Sequence, residues 1–233
     1  MKFIPMKNCL GNIHKEPKTL LKKGLFYIVL FPIFLTSCQR KNTEESTPQK
    51  QRIEKTSSIL ALKDIQHPTL LKWQSYYQQQ VDEKFRLDKF EYNSTQTIPE
   101  INSNIAATFD TVFDPVYEPH LIYNPSKNQY IDLDSYWWSK KPNKEKAYNV
   151  DQEINWIDIE HKTKKRIAFR GASSRVEDAL WINDQEILLL ENNSEHTPII
   201  THIKLDSQKA YIYTYPNVLK KKSDYSDYRL LNK

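Results

Sequence analysis

The sequence predicts a mainly β protein made of antiparallel four-stranded sheets with one N-terminal helix, and three observations predict it. After residue 104 come nine short segments rich in Ile, Val, Tyr, Trp and Thr, each bounded by Asn, Asp, Pro, Ser or Lys clusters. Two of their stretches repeat one pattern at an offset of about 46 residues. A single stripe of helical periodicity precedes them. A small β-sandwich or an α+β domain is the alternative architecture.

In chain order, residues 1–23 are a basic lead with six lysines against one acid, Glu16. The apolar run Leu25 to Leu35 follows, eleven residues long and interrupted by Pro32. A spanning helix needs roughly 20 apolar residues, whereas the core of a signal peptide needs about 7 to 15. An uncleaved anchor would have to add Leu20 and Leu21, which places Lys22 and Lys23 in hydrocarbon at roughly 2.5 to 3.5 kcal/mol each. The run closes on Leu35-Thr36-Ser37-Cys38, and the stretch resembles a bacterial lipoprotein signal peptide ending in a lipobox. The resemblance implies a diacylglycerol thioether on Cys38, cleavage between Ser37 and Cys38, and a protein held to the membrane by acyl chains on Cys38. A dually acylated cysteine holds stably where one chain does not. Gln39, where enterobacterial lipoproteins retained at the inner membrane carry Asp, implies the outer membrane. Glu44-Glu45 match the acidic export signal of some Bacteroidota lipoproteins only in part, and Arg40 and Lys41 depart from it, so the periplasmic and surface faces both stay open.

Loss of residues 1–37 would remove six of the 34 basic and one of the 29 acidic side chains, leaving 28 of each. The apparent basicity is thus a targeting feature, and no electrostatic argument for nucleic acid remains. Cys9 would go with the leader and Cys38 to lipid, so no disulfide is expected. Residues 38–57 are polar and too poor in apolar groups to order themselves, and they read as a lipidated flexible tether.

Residues 58–92 form the helical segment. Pro68 suits a first turn, and Trp73, Tyr77, Val81 and Phe85 recur at every fourth position with Leu70 beside them, over a helix from about Pro68 to Leu87. Such a stripe packs on a main body. After a loop at Asn93 to Asn104, the β-rich domain (93–233) carries strands at Ile105–Val112, His120–Tyr123, Gln129–Leu133, Glu153–Ile159, Arg166–Phe169, Ala179–Ile182, Glu186–Glu191, Ile199–Leu205 and Ala210–Tyr215. INWIDIEHKTKKRIAF aligns with IITHIKLDSQKAYIYTY, and LIYNPSKNQYIDL and ALWINDQEILLL precede them in the same order. Each unit is two hairpins, with Ser139 to Val150 inserted in the first. Size and order resemble blades of a β-propeller. Two units and part of a third are too few to close a ring, so blade-like sheets capped by the helix are expected. The pattern FDTVFDPVYEPHLIYNP followed by VEDALWIND resembles Bacteroidota lipoproteins over about residues 70 to 216, a likeness that carries no activity. Asp110-Thr111-Val112 also matches the short O-glycosylation pattern of that phylum.

Chemistry is sparse in this chain. Gly171 is the one glycine after Cys38, which excludes a glycine-rich phosphate loop and suggests a turn residue with positive φ. The five histidines after Cys38 are scattered and no cysteine follows it, so there is no metal-ligand spacing, and no cofactor is expected. Asp132 and Asp134 alternate on one strand face without completing a calcium loop. The loop from Arg170 to Asp178 gathers Arg170, Arg175, Glu177 and Asp178. A hydrolase would use Glu177 or Asp178 as acid or base, with Asp132 opposite; a solvated turn tied by ion pairs is the plainer reading. Tyr136, Trp137 and Trp138 form the second candidate, a platform for sugars if exposed and packing if not. The expected function is an anchored envelope module, binding or structural, with its protein or glycan partner open. An envelope hydrolase of glycans or peptides is the alternative.

Overall fold

The computed structural model describes residues 60–140 and 146–231; Ser37, Cys38 and the tether lie outside the described residues. Helix α1 (Pro68–Tyr76) opens on Pro68, with the His67 imidazole accepting from the Thr69 N–H, and runs on as a π-helical turn over Tyr77–Val81. The helix ends there, short of Leu87, because the Asp82 carboxylate accepts from the Lys84 N–H and bends the chain. The fourfold stripe is buried as expected: Leu70, Trp73, Tyr77, Val81 and Phe85 all enter one core.

The strands are β1 (Glu91–Thr97), β2 (Ile101–Asn102), β3 (Ile122–Tyr123), β4 (Gln129–Asp132), β5 (Trp138–Lys140), β6 (Lys146–Tyr148), β7 (Gln152–Asp158), β8 (Thr163–Arg170), β9 (Ser174–Asn183), β10 (Glu186–Asn193), β11 (Pro198–Lys204) and β12 (Lys209–Thr214), followed by helix α2 (Tyr225–Leu231). They build two antiparallel five-stranded sheets, ordered β2-β8-β7-β4-β3 and β1-β12-β11-β10-β9, and a small hairpin, β5-β6. The two repeat units are four-stranded meanders, β3-β4-β7-β8 and β9-β10-β11-β12. Each is widened by a fifth strand on its last member. Lys162 and Gln208, 46 residues apart, hold the same left-handed conformation (φ 51° and 52°) in corresponding turns.

The two sheets stack face to face. Ile131, Ile154 and Ile167 of one meet Val176, Trp181 and Leu189 of the other in a shared core. The far face of the C-terminal sheet, with Leu180, Leu188 and Tyr213, is covered by α1 and α2. The far face of the N-terminal sheet, at Tyr130 and Ile157, is covered by Ile105, Ala107 and Leu121. Polar side chains staple the sheets at several points. The Gln152 amide reads the N–H and C=O of Val176 as a peptide would (2.9 and 3.1 Å), and Asp184 accepts from Asn124 and Ser126 across equivalent turns.

Four expectations are corrected. The loop at Asn93 to Asn104 holds most of β1 and all of β2, which cross from one sheet to the other with Ile98 in the core between them. Ile105 to Val112 is a turn-rich cover, not a strand, because Asp110 accepts from the Ala107 N–H (2.8 Å) and from Lys164 Nζ (2.7 Å) and so folds the segment back. Gly171 has no positive φ; the left-handed residues are Lys127, Lys162, His196 and Gln208, all in hairpin or turn connections. Helix α2 lies beyond the last expected strand.

Arg229 of α2 is 1% exposed and forks onto Asp134 at 2.7 and 2.9 Å, while its Nε donates to the Glu177 carbonyl at 2.8 Å. Removing one partner of a buried pair leaves the other uncompensated. Arg229→Ala is therefore expected to cost about 3 to 5 kcal/mol in urea unfolding, and Asp134→Leu with Arg229→Met together less than either alone. Wild-type stability in Arg229→Ala would contradict the assignment.

Candidate functional site

The segment between the repeat units turns at Gly171, whose carbonyl accepts from the Ser174 N–H (3.1 Å), and enters β9. In β9, Val176 pairs with Glu191 and Asp178 with Leu190, so Glu177 is an extra residue, a β-bulge. Strict alternation would send the neighbouring acids Glu177 and Asp178 to opposite faces of the sheet. The bulge instead aims both toward the helices.

Glu177 lies in a dense donor set. Its Oε2 accepts from Trp73 Nε1 (2.8 Å) and Tyr77 Oη (2.7 Å), and Ser223 adds a third side-chain hydrogen bond. Tyr77 Oη in turn accepts from Asn192 Nδ2 (2.8 Å). Burial pushes the Glu177 carboxyl up to about 7, against the hydrogen bonds of Ser223, Trp73 and Tyr77, which favour its charge. Asp178 accepts from its neighbour's Ala179 N–H and from Tyr225 Oη (3.1 Å). Burial, then the Asp178 charge, holds the Tyr225 phenol far above its ordinary range.

Glu177 also lines a cleft of about 480 Å³ beside Arg175, Trp137, Tyr148, Asn192 and Asp227. The Arg175 guanidinium sits 4.1 Å from the centre of the Trp137 ring, whose other neighbour is the Tyr148 ring at 4.6 Å. Burial lowers the Arg175 pKa, with the Asp227 charge opposing. Three atoms of the lining residues are buried with no hydrogen-bond partner: Arg175 Nη1, Trp137 Nε1 and Asn192 Oδ1.

Of the residues selected from sequence, Arg175, Glu177 and Trp137 meet at this cleft. The others do not line it. Arg170 is engaged by Glu191 at 2.6 and 3.0 Å, tying β8 to β10. Asp132 binds the N–H groups of Asp134 and Ser135 and the Ser135 hydroxyl in its own turn, with burial raising its pKa. The three adjacent aromatics diverge. Tyr136 packs with the cover of the N-terminal sheet, Trp137 faces Arg175, and Trp138 packs on Tyr117 and His120. At 5% exposure and flanked on both sides, Trp137 is a wall and not a stacking platform. Sequence reasoning missed Asn192, Tyr148 and Ser223. No local signal marks Asn192, which lies at the end of β10 and 115 residues along the chain from its partner Tyr77. Among the described residues no three His, Cys, Asp or Glu side chains form a metal-binding group.

Because the Glu177 pKa is raised on folding, the native state keeps a proton that the unfolded chain has released between pH 4.5 and about 7. Stability is then greatest below pH 4.5 as far as this group is concerned, and about 3 kcal/mol is lost as pH rises to 7. Glu177→Gln is expected to flatten that slope in denaturation curves taken from pH 5 to 8; an unchanged slope would refute it. No protein-family model, curated protein or solved structure matches the chain.

Proposed function

We propose that the chain is a lipid-anchored protein of the cell envelope, held through acyl chains on Cys38 at the outer membrane, and that its body is a binding module. The lipobox supports the anchor. The module reading is carried by one observation: a cleft of about 480 Å³ is lined by aromatic, amide and charged side chains together, among them Trp137, Tyr148, Asn192, Arg175 and Glu177. Concave sites of this size, with aromatic walls and a few polar groups, are where small ligands bind.

The alternative, an envelope hydrolase acting on glycans or peptides, is favoured by Glu177, an acid titrating near neutrality at the same cleft. Its proposed companions do not join it: the carboxylates of Asp132 and Asp178 are held by Ser135 and Tyr225. Glu177 is itself held by three donors and is 3% exposed. These restraints favour a structural carboxylate over one that exchanges protons with a substrate.

Cells fed a labelled fatty acid are expected to label the wild type and not Cys38→Ala, and only the wild type should pellet with membranes. An unlabelled wild type overturns the anchor. Incubation of the purified protein with cell-wall glycans and peptides is expected to release no product; turnover that Glu177→Gln abolishes would replace the module with the hydrolase.

A further inference from the structure

We infer that the outer edge of β1 takes up an extended segment of a partner protein as a further strand, and that a lysine or arginine of that segment seats beside Glu91. The inference goes beyond the cleft beside Arg175 and concerns a surface that shares no lining residue with it.

The first observation is the backbone. β1 is the last strand of its sheet, and among the described residues its main-chain groups bond only to β12. The Ile98 N–H bonds the Gln208 carbonyl in the register that pairs Thr97 with Lys209. Bonded and open pairs alternate along an antiparallel ladder, so Thr95 and Thr97 turn their N–H and C=O groups outward. Pairing is regular from Ser94 to Thr97, and this run holds neither Lys nor Pro nor an inward charge, which commonly guard an edge. The one guard present, the bulge at Asn93, comes before it.

The opposite edge of the same sheet is closed. On β9 the Gln152 amide bonds the N–H and C=O of Val176, and Arg229 Nε donates to the Glu177 carbonyl. The N-terminal sheet ends on β2 and β3, two residues each, and very short strands are another guard. β1, seven residues long, has neither protection.

The second observation is a pocket of about 320 Å³ at the start of this edge, formed in part by Glu91, Tyr92, Asn93, Tyr215, Pro216 and Val218. Asn93 Nδ2 donates to Thr214 Oγ1 at 3.2 Å across its floor. Glu91 is exposed, is the only charged residue of the lining, and has no hydrogen bond or ion pair with a described residue. Two tyrosines, a proline and the exposed Val218 surround that carboxylate with apolar surface. Lys and Arg suit such a place, with the alkyl stem on the apolar wall and the charge on the acid or over a ring. In strand addition the main-chain bonds give affinity and a pocket for one side chain gives specificity. The β1 strand of a second copy, EYNSTQT, brings no base to Glu91, so a foreign segment fits the edge better.

Amide exchange, followed by NMR on the full-length protein in detergent, tests this with a capped heptapeptide of alternating threonine and valine that carries a central lysine. The Thr95 and Thr97 amides are expected to exchange fast in the free protein and slowly once the peptide saturates it. Glutamine for the peptide's lysine, or Glu91→Gln in the protein, should each weaken binding about two- to fivefold. Thr95→Pro deletes an outward N–H at an edge position, where proline is tolerated, and should abolish binding with the melting midpoint unchanged. A fully N-methylated peptide leaves the protein untouched and should not bind either. Amides of Thr95 and Thr97 that are protected before any peptide is added would mean that a second copy or the chain's own N-terminal segment holds the edge, which overturns the inference. Binding that survives N-methylation, a glutamine peptide that binds as tightly as the lysine one, or no protection at millimolar peptide would overturn it as well.

Discussion

The structure depends on one buried cation. Arg229 reaches from the last helix to Asp134, on the chain leaving β4, and to the Glu177 carbonyl, in the bulge of β9. The two contacts belong to segments of different sheets. A guanidinium taken out of water is costly unless its donors are met, and here burial opposes the charge while Asp134 outweighs it and holds the pKa above the ordinary range. Arg229 can be satisfied only when the two sheets, α2 and the bulge are all in place. That requirement fixes how the sheets stack at this end, beyond what a shared core of Ile, Val and Leu specifies. Apolar packing is tolerant of small slides, and a forked ion pair is not.

The bulge then determines what faces the helices. One extra residue in β9 puts Glu177 and Asp178 on the same side, where α1 supplies Trp73 and Tyr77 and α2 supplies Tyr225. Had the strand kept its pairing, one of the two acids would have entered the core between the sheets, which is lined by Val176, Ala179 and Trp181. An unpaired carboxylate there would cost several kcal/mol. The bulge removes that conflict and leaves the two acids among donors.

How much of this could be read from the sequence follows from the range of the forces involved. The strands of the two repeat units were legible because their signals are local: short runs rich in Ile, Val, Tyr, Trp and Thr, bounded by Asn, Asp, Pro, Ser or Lys clusters. The repeat gave the meander order, since two similar units must bury similar faces. The fifth strands were not legible. β1 reads EYNSTQT, polar throughout, and is a strand because the edge of β12 offers it a ladder, a contact over a hundred residues away. The segment IAATFDTV misled in the other direction: β-like in composition, it is folded by Asp110 and Lys164, whose meeting no local pattern shows. In the cleft, Arg175 and Glu177 were legible as members of a charged loop, and Trp137 as one of three aromatics. Which of those three would meet Arg175 depended on the β5-β6 hairpin. Asn192 could be recognised only after α1 had docked on the far face of β10.

The same far-face docking makes the cleft suited to holding a ligand. Asn192, Tyr77, Glu177 and Trp73 form one continuous set of hydrogen bonds that joins β10, α1 and β9. Every side chain in it is buried, and α1 itself is held by the stripe from Leu70 to Phe85. Asn192, one of the residues lining the cleft, is thus positioned by buried groups. Arg175 is positioned independently, by the Trp137 ring, which the β5-β6 hairpin and Tyr148 support. Two arms of different origin, one carrying Asn192 and one carrying Arg175, hold the walls of the cleft. The entropy of ordering them has been met in folding, so less of the interaction energy is lost on association. Glu177, at the root of one arm, accepts from Tyr77 and through it holds the Asn192 amide in place.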